Sequence, residues 1–359
     1  MRKLMREKEI ASGSLRSKSS TRRATIKQVA EATGVHPSTV SRALSASASH
    51  LLTEAVAERI RETAAAMGYQ RNAVAAGLRT GRSKLIGVLA PDIADPGFPP
   101  ILGGLAEALG QHGYATLVAD VGGDRNRQGE LIDRLVAQGV DGLVLATVAR
   151  KDPAILQCQR SGAPVVLINR VDDAGRLPAV VSDDARGMRM AVEHLVALGH
   201  RRIGHVAGPQ DISTGAIRRA GFEAAVADAK LRDAPVEFAT AYTRAAGEQA
   251  ALRLLARKPR PTAIVAANDL LAIGVYDALA AAELACPGDV SVVGHNDMPY
   301  VDMLPPPLTT VRIAQRDIGR QAAQILIQRI DGAPARNARV MLGSELAVRA
   351  STAAPRSKI

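Results

Sequence analysis

The sequence predicts a small α-helical head followed by a large, two-lobed α/β body with parallel sheets and helices on both faces. Three observations lead there. Thr25 to Ser45 reads as two short helices joined by a tight turn. From Lys84 onward, short apolar runs alternate with helical stretches. After a long helix the alternation restarts at Ile203. Strand–helix units repeating every 25–30 residues, roughly, are the pattern of a parallel sheet. Two such series in tandem imply two similar lobes with a cleft between them.

The head comes first. Thr25 and Gln28 have the spacing of a capping box, and Ile26, Val29 and Ala30 fall on one helical face. Gly34 suits a sharp helix end, and Pro37 suits the first turn of the next helix. Val40 and Leu44 repeat at i, i+4, which leaves Pro37, Ser38, Thr39, Ser41 and Arg42 on the outer face. That face is small, polar and cationic. It can lie in a DNA major groove, where Arg42 can pair with guanine through two hydrogen bonds. Thr53 is a candidate cap for a third helix, which carries Val56, Ile60, Ala64 and Met67 inward and stops at Gly68. Residues 71–83 read as a hinge, since Gly77 weakens a short alanine-rich helix.

In the body, strands are expected at Leu85–Ala90, Tyr114–Val121, Val140–Val148 and Ala163–Asn169, then at Ile203–Ala207, Val236–Tyr242, Ala263–Ala267 and Val290–Gly294. Val340–Val348 reads as one closing strand, and Ile313–Ile330 as the last helix of the second series. Ligands of open parallel sheets sit at the carboxyl ends of the strands. Those ends carry Asp92, Asn169, Asp183, Asn268-Asp269 and Asn296-Asp297.

Composition narrows the function classes. The chain has 359 residues and a net charge of +11. Residues 1–24 hold eight basic side chains against two acidic ones, so a basic tail that adds counterion-release affinity for DNA is expected. No apolar run is long enough for a membrane span, and the charged start lacks a secretory pattern, which points to the cytoplasm. The two cysteines have no CxxC spacing, and His194, His200 and His205 complete no ligand set, so neither a metal nor a cofactor is expected. Gly103-Gly104 and Gly122-Gly123 lack the residues of a phosphate loop.

Residues 25 to about 350 resemble the lac repressor–gal repressor family of bacterial transcription regulators. The carrying motifs are TIKQVAEATGVHPSTVSRAL, MGYQRNAVAAGLRTGRSKLIGV, LGHRRIGHVAGP, RRAGF, AIVAANDLLAIG and DVSVVGHND…PPLTTVR, in that order. The resemblance implies a helix-turn-helix domain at 25–70 and a hinge at 71–83. It implies a periplasmic-binding-protein-like body at 84–350 and a tail at 351–359. It also implies a homodimer on a near-palindromic operator, with a small polar effector, a sugar or sugar acid, in the cleft.

Carried over by motif, Pro37, Ser38 and Arg42 read bases, and Leu78 wedges into the minor groove. Thr25 and Asn72 are further expected DNA contacts. Arg218 contacts the effector, as do Asn268, Asp269 and Asn296, with Asp92, Phe98, Asp183 and Thr214 completing the expected site. His36 departs from the family, standing where a serine commonly caps the second helix. Asn296 departs too, as an amide in place of a common carboxylate. The competing reading is a sugar-binding protein of a transport system, which would share the body; the helix-turn-helix head argues against it. An enzyme is not expected, since no nucleophile–base pair is visible.

Overall fold

The computed structural model describes residues 24–44, 51–69, 81–122, 124–334 and 338–356. The chain divides into two compact units, Met1–Gly81 and Arg82–Ile359. The expected basic tail, and the hinge positions Asn72 and Leu78, lie outside the described residues.

The head contains α1 (Ile26–Thr33), α2 (Pro37–Ala43) and α3 (Glu54–Ala66). The capping box forms: Thr25 Oγ1 accepts from the Gln28 amide, and Gln28 Oε1 accepts from the Thr25 amide at 2.8 Å. Gly34 ends α1 with φ of 64°, a left-handed conformation that glycine adopts without steric cost. Val29, Val40, Ala57 and Ile60 are fully buried together and form the core of the unit. Arg59 on α3 donates to the Thr33 carbonyl at 3.2 Å and ties the third helix to the end of the first. His36, the departure from the family pattern, still caps α2: its Nδ1 accepts from the Ser38 amide at 3.2 Å. Thr53 precedes α3 without making a side-chain cap.

The first lobe of the body carries β1 (Leu85–Ala90), α4 (Pro99–Gln111), β2 (Ala115–Asp120), α5 (Arg125–Ala137), β3 (Gly142–Leu145), α6 (Ala154–Ser161), β4 (Val165–Ile168) and β5 (Ala179–Ser182). The second carries α7 (Asp184–Ala197), β6 (Ile203–Ala207), α8 (Ser213–Asp228), β7 (Val236–Phe238), α9 (Arg244–Leu255), β8 (Ala263–Ala266), α10 (Asp269–Ala281), β9 (Ser291–Asn296) and β10 (Thr309–Ile313). The chain then runs through α11 (Gln315–Ile330), β11 (Arg339–Leu342) and β12 (Ser344–Ala347).

Two six-stranded sheets result, ordered β11-β5-β4-β3-β1-β2 and β12-β10-β9-β8-β6-β7. The ladders are parallel except between β10 and β12. In the first sheet Ile86, Val88 and Val144 face one core, while Leu89, Leu143 and Leu145 face the other. Both faces are apolar because helices cover both.

Three expectations are corrected here. The last helix, α11, packs in the first lobe, its Ile318, Ala322 and Leu326 sharing a core with Leu105 and Leu109 of α4. Glycines permit that close approach: a Cβ on Gly104 would collide with the Arg316 carbonyl oxygen, and one on Gly319 with that of Ile101. The closing strand is two strands in different sheets, divided at Gly343. The strand expected at Val236–Tyr242 stops at Phe238, opposite the end of β6 at Ala207, and Tyr242 beyond it lines the cleft. The chain therefore crosses between lobes three times: at Asp183, at Ala314 and at Gly343.

Candidate functional site

The cleft between the lobes holds a partly open cavity of about 40 Å³. The first lobe contributes Asp95, Gly97, Phe98, Asn169, Arg170 and Gln315, and the second contributes Thr214, Arg218, Tyr242, Asn268 and Asn296. Hydrogen bonds away from the crossovers hold the lobes together: the Val171 amide donates to Ser213 Oγ at 3.0 Å, and the Arg150 amide donates to the Asp211 carbonyl at 2.9 Å.

Arg218 organises the second-lobe wall. It leaves α8, is 2% exposed, and is braced on three sides. Nη1 donates to the Ala267 carbonyl at 2.6 Å, while Nη2 donates to Asp184 Oδ1 at 2.9 Å and to Asn296 Oδ1 at 3.1 Å. Asp184, the first residue of α7, is itself buried and also accepts from the Ser182 hydroxyl at 2.7 Å. The ion pair thus roots the cleft wall at the first crossover between the lobes. The Asn296 amide nitrogen lies 3.8 Å from where a Cβ on Gly97 would stand, so this side chain reaches across the cleft toward the first lobe.

Two buried histidines back this wall. His295 is pushed down to about 3 by burial and by the Arg218 cation, and its ring sits beside Asp184. His205 is pushed down to about 4 by burial; its Nδ1–H donates to the Val265 carbonyl at 2.8 Å, and its ring stacks on Phe222 at 4.7 Å. Both are neutral and structural. His200 holds Thr262, Ser291 and the Ala353 carbonyl, and His194 holds Thr352. Among the described residues no cluster of histidine, cysteine, aspartate and glutamate could hold a metal ion.

Phe98, Thr214, Arg218, Asn268 and Asn296 line the cavity. Three other expected effector residues do not. Asp92 is exposed and closes a turn on the Ala94 amide at 2.8 Å. Asp183 caps α7 by accepting from the Arg186 amide at 3.1 Å. Asp269 is fully buried under β9, where Gly294 leaves room for its carboxyl; it accepts from the Thr310 hydroxyl and from the Met298 amide at 2.8 Å. Burial raises Asp269 to about 7. The strand-end rule points to the right neighbourhood for these three, but each carboxylate satisfies a backbone or side-chain donor of its own.

Sequence reasoning misses Asp95, Arg170, Tyr242 and Gln315 as site residues. Asn169 stands at a strand end, a signal that could have selected it. Arg170 follows it directly and belongs to no motif. Gln315 goes to the wrong lobe with its helix.

In the head, Ser38 and Arg42 are exposed and Pro37, Thr39 and Ser41 are half-buried, while Val40 and Ala43 pack inward. Arg42 forms no ion pair with a described residue.

Residues 192–352 match the periplasmic binding protein-like domain family. The HTH-type transcriptional repressor CytR of Escherichia coli K12 is 30% identical over 332 residues, covering 92% of this chain and 97% of CytR. The chain belongs to the lac repressor–gal repressor family of bacterial transcription regulators. The crystal structure of the lac repressor dimer bound to operator and the anti-inducer ONPF matches with a TM-score of 0.83 at 28% identity, over 93% of this chain and 100% of that one. The complex of transcriptional regulator CelR with cellobiose matches with a TM-score of 0.69 at 29% identity, over 92% and 100%. Among the described residues no helix is long and apolar enough to cross a membrane.

Proposed function

We propose that this chain is a ligand-responsive, sequence-specific repressor of a sugar or sugar-acid utilisation operon. It works in the cytoplasm as a homodimer on a near-palindromic operator. The observation that carries this reading is the division of the cavity's hydrogen-bonding groups between two lobes that the chain crosses three times. A ligand that bridges them holds one arrangement of the lobes against another.

The polar set suits a ligand rich in hydroxyls. Asn268 and Asn296 carry amides, Asp95 a carboxylate, Thr214 and Tyr242 hydroxyls, and Phe98 supplies an apolar face. Structural relatives support the class, since CelR was solved with cellobiose. The lac repressor bound to operator supports the DNA partner and the dimer. On the DNA side, Ser38 and Arg42 are the exposed side chains of α2 that can reach base edges, with Pro37, Thr39 and Ser41 beside them. Thr25, which caps α1, is a further assigned DNA contact. Leu78 is assigned to the minor groove through the family motif, and Asn72 is another assigned DNA contact.

The leverage of the effector on DNA equals its difference in affinity for the two body arrangements, about 1–3 kcal/mol in typical systems. The test is calorimetry with wild type and Arg218→Met. Loss of sugar binding in the variant supports the site; equal affinity in both proteins removes Arg218 from it.

A further inference from the structure

The two arginines of the cavity differ in their bonding. Arg218 is committed to Asp184, Asn296 and the Ala267 carbonyl. A carboxylate could be taken by both of its Nη atoms only after those hydrogen bonds broke. Arg170, on the first-lobe wall, forms no ion pair with any described residue. Among the described residues the guanidinium makes one hydrogen bond, a long one of 3.5 Å from Nη1 to the Thr147 carbonyl. The charged or titratable groups around it are Asp95, Asp211, Tyr242 and Arg218. Asp95 is already engaged by the Gly97 amide at 2.8 Å.

The backbone enforces this placement. The Arg170 amide donates to the Ile168 carbonyl at 2.6 Å, closing a three-residue turn over Asn169, whose φ is 62°. A tight turn with a non-glycine residue in the left-handed region stores strain, and such strain gathers where a side chain must be aimed. Here it delivers a half-buried guanidinium to the cavity. A half-buried cation with no carboxylate at ion-pair distance has room for one, and a carboxylate matches its planar fork through two parallel hydrogen bonds.

Resting on the cleft as effector site, we propose that the effector is an acidic monosaccharide whose carboxylate is held by Arg170. Asn296, Asn268 and Thr214 then take hydroxyls from the second lobe. The acid group and the hydroxyls bind opposite walls, so the charged end bridges the cleft only when the sugar ring is attached to it.

The experiment is titration calorimetry of the full-length protein with D-glucuronate, D-galacturonate and D-gluconate, alongside neutral D-glucose and D-galactose and with D-glucose 6-phosphate. At least one acid is expected to bind tenfold or more tighter than the neutral sugars and the phosphate. Arg170→Met should remove that preference, and Arg170→Lys should keep part of it. The Arg170→Met protein should unfold at or above the wild-type temperature, because the substitution deletes an unpaired cation from the cavity. Four results overturn the assignment: neutral sugars bound as tightly as the acids, preference for the phosphate, no binding by any acid, or a preference that survives in Arg170→Met. A neutral sugar that binds and alters operator affinity would overturn the acid while leaving the regulator reading intact. Ligand binding in the cleft with no effect on DNA would overturn the regulator reading instead.

Discussion

Removing the charge of Asp184 tests the brace beneath the cleft. Its ion pair with Arg218 spans 2.9 Å, with the two side chains 4% and 2% exposed, so solvent screens it little. Asp184→Asn preserves shape, and its amide oxygen can still accept from Ser182 and from Arg218, but it removes the negative charge that balances the buried guanidinium. Breaking one side of a buried pair costs about 3–5 kcal/mol, and the retained neutral acceptors favour the lower end. Arg218→Met makes the mirror-image defect, a buried carboxylate without its cation. The double variant holds neither charge, so the two losses should not add, and at least about 2 kcal/mol should be recovered in the cycle. Urea unfolding of the full chain, followed by far-ultraviolet circular dichroism, measures all four proteins. Single variants that cost less than about 1 kcal/mol, with additive behaviour in the double, would refute the buried-pair reasoning.

Four further outcomes are expected. His205 and His295 are held at about 4 and about 3 against an ordinary 6.5, so the unfolded chain takes up protons below about pH 6.5 that the native body refuses. Their contribution is full above that pH and shrinks as pH falls toward 4. Asp269, raised to about 7, runs the other way, its contribution fading as pH rises through 7. Two histidines against one carboxyl leave a net loss on acidification, and His295→Gln should flatten it by up to about 1.4 kcal/mol per pH unit; an unchanged slope in urea titrations at several pH values refutes this. Gly319→Ala forces a methyl group against the Ile101 carbonyl and should cost about 1–3 kcal/mol in the same unfolding assay, where a neutral result would show that α4 and α11 can separate freely. Arg42→Ala should cost about 1–3 kcal/mol on a specific operator and relax specificity at one symmetric pair of positions, whereas equal weakening on random DNA would confine Arg42 to the phosphates. Deleting residues 1–24 should flatten the slope of log affinity against log salt by about 0.9 for each phosphate that the tail neutralises, and an unchanged slope removes the tail from the interface.

Local signals are the most legible. The capping box at Thr25, the glycine stop at Gly34 and the alternation of apolar runs each depend on residues adjacent in sequence. What sequence order hides is where the chain crosses between lobes. The last helix follows a second-lobe strand directly, and its apolar stripe is the same whichever lobe it covers; only the reciprocal fit of Gly104 and Gly319 decides, and that is a three-dimensional fact. The carboxylates mislead for a related reason. Asp183, Asp269 and Asp92 stand at strand ends, but the helix N-terminus, the Thr310 hydroxyl and the Ala94 amide claim them. Arg170 escapes a sequence reading because an arginine beside a strand end ordinarily reaches solvent; a strained turn at Asn169 sends this one inward.

The most direct measurement is fluorescence anisotropy of a labelled operator, selected in vitro with the full-length protein, with and without a saturating amount of the tightest sugar or sugar acid found by calorimetry. A regulator governed by its cleft should change operator affinity by about 5- to 150-fold, with no such change in a variant that has lost the ligand, such as Arg218→Met. Operator affinity identical in the presence and absence of bound ligand would contradict it.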